Sequence, residues 1–313
     1  MPIVSLKTGT KSRSLLVGNS AYEPSRAIFG GGNSGSVTNI IDYVAIDTLG
    51  NATDFGDLTR NSYIVAACAS TTRGVFGGGT PDGSAESNVI DYITIMSTGN
   101  ATDFGDLTLG RYGLAGCNST TRGLFGSGYG AGYSNVIDYI TIASAGNATD
   151  FGDLTQARYG TGSCSSSTRG VWAGGASSGG YFNIIDYVTI ASVGNATDFG
   201  DLTDTCVFTA GLSNATRGII NLGTDTGTQF NVNNYITIAT TGNATDFGDL
   251  SVARTGVMGS SNATRGLFAG GSGLSNVIDY VTINTTGNAT DFGDLTVARQ
   301  YGAGLSNTNG GVQ

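Results

Sequence analysis

One ten-residue phrase constrains this chain more than any other feature. "GNATDFGDLT" begins at Gly50 and recurs at Gly99, Gly146, Gly194, Gly242 and Gly287, with Ser251 in place of the last Thr in the fifth copy. A tyrosine precedes each copy, at Tyr43, Tyr92, Tyr139, Tyr187, Tyr235 and Tyr280, so the spacings are 49, 47, 48, 48 and 45 residues. Self-similarity at this period specifies an array of one supersecondary unit: a solenoid or a propeller.

The unit divides into four strand-length pieces, seen in the third copy as Tyr112 to Cys117, Thr121 to Gly126, Asn135 to Ile142 and Thr149 to Thr155. Gly, Ser and Asn occupy the joints and favour turns. No segment carries an apolar stripe at helical spacing, and 52 glycines oppose helix formation. In "NVIDYITI", Val136, Ile140 and Ile142 share one face, while Ile137, Tyr139 and Thr141 share the other. A strand apolar on both faces packs on both sides. Four strands in each of six units predict an all-β, six-bladed β-propeller of antiparallel blades, in which each blade covers its neighbours.

The succession "TRGVFGGG", variable stretch, "NVIDYITI", "TDFGDLT" and Arg resembles the kelch motif of galactose-oxidase-type propellers. In that resemblance Phe55, Phe104, Phe151, Phe199, Phe247 and Phe292 stand where kelch repeats usually place Trp. The recurring "GNATDFGDL" is also similar to phrases in repeat-rich structural proteins of phage particles, marine phages in particular. That second likeness implies a virion protein, made in a host cytoplasm.

The chain divides into an N-terminal extension, 1–12, and a single propeller, 13–313. "SLLVGNS" at Ser14 to Ser20 and "VARQYGAGLSNTNGG" near the C-terminus both read as first strands, which is one more than six blades need. Pairing of the termini removes the seam of a propeller. Tyr301 to Ser306 is therefore expected in the blade holding Arg26 to Gly32, with the segment up to Ser20 displaced. "LKTGTKSRS" holds both lysines and fits no repeat.

Charged residues make up 12% of the chain and the formal net charge is −9, so the basic footprint of a nucleic-acid binder is missing. Most of the 23 acidic residues belong to the repeated phrase or to the third strand. No apolar run reaches transmembrane length, and the first 18 residues lack a signal-peptide core. Cys68, Cys117 and Cys164 hold one repeat position and read as small buried thiols, with a pair to the off-register Cys206 left open.

Histidine is absent, which removes the commonest general base and metal ligand. It also removes the copper site of galactose oxidase, so that activity is not carried over. The aspartates recur in every blade, whereas an active site breaks symmetry; no catalytic residue, cofactor or metal is assigned. Asp150 and Asp153 could clasp calcium, but the architectural reading is that Asp150 accepts backbone N–H bonds and Gly152 permits a bulge. The "TRG" arginines, such as Arg122, are read as partners of third-strand aspartates such as Asp138, with a ligand-binding arginine ring as the alternative. Asn234 replaces that Asp in the fifth unit.

Alternate connections lie at opposite ends of an antiparallel blade. The first-to-second and third-to-fourth turns are nearly constant between repeats, while the other two connections vary greatly. Loops carry binding on a fixed scaffold. The variable face gathers Tyr63, Arg111, Tyr112, Tyr129, Tyr133, Arg158, Tyr159, Tyr181, Phe182, Phe230 and Tyr301, the aromatic and arginine chemistry of a protein or glycan interface. Unconstrained drift of the loops would produce variation too. The expected function is a non-enzymatic binding propeller of a phage fibre, tail or capsid surface. Its partners would be other virion proteins or a host-surface glycan or protein, with homo-oligomers allowed in a particle. A purely structural part docking through the uniform face is the alternative, and a carbohydrate-active enzyme a third reading.

Overall fold

A computed structural model describes residues 24–308. Six antiparallel sheets form a six-bladed β-propeller, and no helix occurs among the described residues. Blade 3 is typical: inner strand Ala115–Asn118, then Arg122–Gly126, Val136–Thr141 and outer strand Thr149–Asp153. Blade 4 departs from this pattern. Its third strand extends over Gly180–Thr189 and its fourth over Thr197–Cys206, with a two-residue strand, Ala176–Ser177, folded against the third.

Blade 1 takes strands from both ends of the chain. Ala303–Ser306 pairs antiparallel with Arg26–Gly30, placing Ala27 opposite Ser306 and Gly30 opposite Ala303. The expected N-terminal extension and the candidate strand Ser14 to Ser20 lie outside the described residues.

The apolar alternation of the third strand becomes packing between blades. Ile137 and Tyr139 join the cluster shared with Trp172 and Val188 of blade 4, while Ile140 and Ile142 join the one shared with Val75 and Phe104 of blade 2. Six such clusters fill the six junctions. No blade owns a complete core, so its burial depends on both neighbours.

The repeated phrase is a clasp between blades. Gly99 N–H donates to Phe55 O and Ala101 N–H to Asp57 O, while Asp57 N–H donates to Asn100 Oδ1 at 3.1 Å. The turn of each blade thereby caps the outer edge of the preceding blade, and Asn51 with Asp294 closes the circle. A bare outer edge would otherwise offer a template for another chain. Phe151 forms the outer-strand bulge: Gly152 stands opposite Ile137 and Asp150 opposite Asp138. Gly152 has φ +141, and a Cβ there would come within 2.6 Å of Gly194 O. Only glycine fits that approach. The acceptor for the neighbouring backbone is the phrase's Asn; Asp150 is exposed and lies outside these bonds.

The expected pairing of Arg122 with Asp138 is corrected. In register, Asp138 lies opposite Phe125 and Arg122 opposite Thr141. Arg122 instead stacks over Tyr139, 4.5 Å from its centroid, and donates to Ile190 O of the next blade at 2.7 Å. Arg26, Arg73, Arg169, Arg217 and Arg265 do the same toward their own neighbours. These six arginines are interblade ties, not a ligand-binding ring. The four cysteines are free and buried, so no disulfide involves Cys206.

Candidate functional site

The connection entering each blade ends in an inner strand, and the residue two positions before that strand has positive φ. At this position stand Tyr301, Ile64, Gly113, Gly160, Phe208 and Gly256 in blades 1 to 6. Glycine reaches this conformation freely, but Ile64 (φ 52°), Phe208 (φ 55°) and Tyr301 (φ 58°) do not. Each stores strain of about 1–2 kcal/mol. The three bulky residues therefore hold a place that glycine fills in the other blades at no such cost.

Backbone bonds link these positions around the axis. Ile64 N–H donates to Tyr301 O, Gly113 N–H to Ile64 O, Gly160 N–H to Gly113 O, and Tyr301 N–H to Gly256 O. The belt fails at blade 5. Thr209 N–H takes Gly160 O, and among the described residues no hydrogen bond is made by Phe208 N–H, Phe208 C=O or Gly256 N–H.

Above the belt the aromatic residues meet. Tyr63 lies edge-on to Tyr301 at 5.4 Å, Tyr301 to Phe208 at 4.9 Å, and Phe208 to Tyr159 at 5.5 Å. Tyr159 continues to Tyr133 at 5.8 Å, Tyr133 to Tyr129 at 5.1 Å, and Tyr129 to Tyr112 at 5.6 Å. Tyr301 reaches Phe208 by crossing blade 6, where Gly256 leaves room: a Cβ there would lie 2.6 Å from the Tyr301 ring. Phe208 and Tyr301 of this chain of rings line a cavity of about 120 Å³ along the inner strands, with no Asp, Glu, Lys or Arg in its lining. Farther down the axis the inner strands close up. Ser213 Oγ donates to Ser165 O, Ser261 Oγ to Ser213 O, and Ser306 Oγ to Ser261 O.

Burial first, and neighbouring phenols second, push the Tyr63 hydroxyl up to about 12. Burial raises those of Tyr112, Tyr159 and Tyr301 as well. These four groups remain protonated at neutral pH.

The structure brings together Tyr63, Tyr112, Tyr129, Tyr133, Tyr159 and Tyr301 from the sequence-predicted set. Isolated bridges between Tyr63 and Thr80 and between Tyr112 and Tyr129 show that the two variable connections share one face. Tyr181, on the long third strand of blade 4, lies near Tyr159 and adds to the rise of its hydroxyl; Phe182, on the same strand, stands opposite Cys206, and Phe230 packs against the junction between blades 4 and 5. Arg111 and Arg158 are corrected: both are fully buried, bonded to Asp138 at 2.9 Å and Asp186 at 2.8 Å, and unable to reach a partner. They anchor the entering connections, as Arg254 and Arg299 do. Phe208 was missed. Its signal was alignment of "CVFTAG" with "RYGLAG" and "RQYGAG", which puts a bulky residue where other copies have glycine or tyrosine.

Among the described residues no three His, Cys, Asp or Glu side chains group as a metal site. No protein-family model matches the chain, and the search of curated proteins finds no match.

Proposed function

We propose that this chain is a non-enzymatic binding propeller that engages a partner through its variable face. The observation that carries the reading is the aromatic rim built on strained backbone at Ile64, Phe208 and Tyr301. Glycine would adopt this backbone without strain, and strained positions cluster at functional sites. The rim also breaks the sixfold symmetry that the clasps between blades keep. The kelch-like relationship and the setting in a phage particle, as a fibre, tail or capsid-surface component, rest on the resemblance of the repeated motifs.

The alternative is an assembly part that docks through its uniform face. Photo-crosslinking separates the two. A photoreactive residue at Tyr133, which is 37% exposed on the variable face, is compared with one at the exposed Ala145 on the uniform face. Particles carrying the chain should yield a partner crosslink from position 133. Crosslinks from position 145 alone would overturn the reading in favour of assembly. Absence of the chain's peptides from purified particles would remove the phage setting.

A further inference from the structure

We propose that the channel mouth binds a neutral pyranose unit of a glycan, seated among Phe208, Tyr301 and Tyr159. This rests on the binding-propeller reading and gives its partner a chemical class. Three observations converge on it.

The first is apolar. Phe208 lies within 4.9 Å of the Tyr301 ring and 5.5 Å of the Tyr159 ring, measured between centroids, and all three are partly exposed. The C–H face of a pyranose packs on such rings. The second is polar. Phe208 N–H, Phe208 C=O and Gly256 N–H have no partner among the described residues, at the two adjoining links where the backbone belt breaks, and both residues line the cavity. A purely apolar ligand would leave these groups desolvated and unpaired, which is costly. A sugar hydroxyl both donates and accepts, so a hydroxylated ring satisfies them. The third is electrostatic. The cavity lining holds no Asp, Glu, Lys or Arg, burial raises its Cys117 and Cys164 thiols, and the Tyr159 and Tyr301 phenols stay protonated. A charged ligand would enter without a counter-ion.

The mouth supplies its own test. Phe208→Gly and Tyr301→Gly install the residue found at this position in blades 3, 4 and 6, and they relieve positive-φ strain. The full chain is screened by saturation-transfer NMR against methyl pyranosides of glucose, galactose, mannose, fucose and N-acetylglucosamine, and on an array of neutral and charged glycans. The expected result is saturation of ring C–H protons in at least one neutral pyranoside. Affinity should fall at least tenfold in the F208G/Y301G double variant while its thermal unfolding stays cooperative. Binding unchanged in that variant overturns the site. Binding only of charged glycans, of indole or of aromatic peptides overturns the ligand class. If no saccharide binds while position 133 still crosslinks to a protein, the pyranose assignment falls and the binding-propeller reading stands.

Discussion

Arg158 donates to Asp186 at 2.8 Å with both side chains fully buried, joining the connection that enters blade 4 to the third strand of that blade. Thr155 completes the carboxylate through its N–H and hydroxyl. In blade 5 the same two positions hold Cys206 and Asn234, and Thr203 donates to Asn234 Oδ1 at 2.9 Å. Both charges have disappeared together, which is how a buried ion pair must be dismantled.

That relationship sets the first prediction. Asp186→Asn alone strands the buried guanidinium and should cost about 3–5 kcal/mol. The double variant R158C/D186N, a copy of blade 5, should recover at least half of that loss in urea unfolding. A double variant no better than the single would mean that the pair contributes through packing alone.

Asp91 tests the same position by pH. Blade 2 has Ser62 in place of the paired Arg, and only the displaced Arg60 approaches. Burial raises the Asp91 carboxyl above its usual range, against the opposing bonds from Thr59. A carboxyl raised on folding contributes stability at low pH and loses it as pH rises through the folded value. Asp91→Asn should therefore raise the melting temperature at pH 7 and converge with the parent below about pH 4. Equal melting at both pH values would show that Arg60 compensates the charge.

The clasp between blades predicts an ordered pair of losses. Asn195→Ala removes one partly exposed acceptor for Asp153 N–H and should cost about 1 kcal/mol. Gly152→Ala meets Gly194 O at 2.6 Å with φ +141, so it should cost more than about 2 kcal/mol. Thermal unfolding of both variants checks the order, and a milder effect at Gly152 would show that the turn can retreat.

Leu305 and Leu212 occupy one repeat position, Leu305 in the C-terminal strand and Leu212 within the chain. Both are buried, each against a glycine of the next blade, Gly74 and Gly266. Leu→Ala at either site should cost about 2–4 kcal/mol. A much smaller loss at Leu305, measured by denaturant titration, would mean that the terminal strand detaches before the ring unfolds.

The spacing of "GNATDFGDLT" and the two-faced pattern of "NVIDYITI" determined, by themselves, the number of blades, four strands in each and the bulge at Phe151. These are local and periodic properties, repeated six times, and each copy corrects the reading of the others. The pooling of Tyr63, Tyr112, Tyr129, Tyr133, Tyr159 and Tyr301 on one end also followed from counting antiparallel connections.

What only the tertiary structure decided were the partners. Arg122 and Asp138 share a hairpin, yet the register sets them apart and Arg111 arrives from the connecting loop to take the carboxylate. The acceptor role read into Asp150 belongs to Asn195, from the next blade. Phe208 entered the site because the circular order of the blades carries Tyr301 across Gly256 to meet it. Each of these contacts joins segments whose separation along the chain says nothing about their distance. Folding the entering connection onto its own blade created the first, and closing the ring created the other two, whose partners belong to another blade.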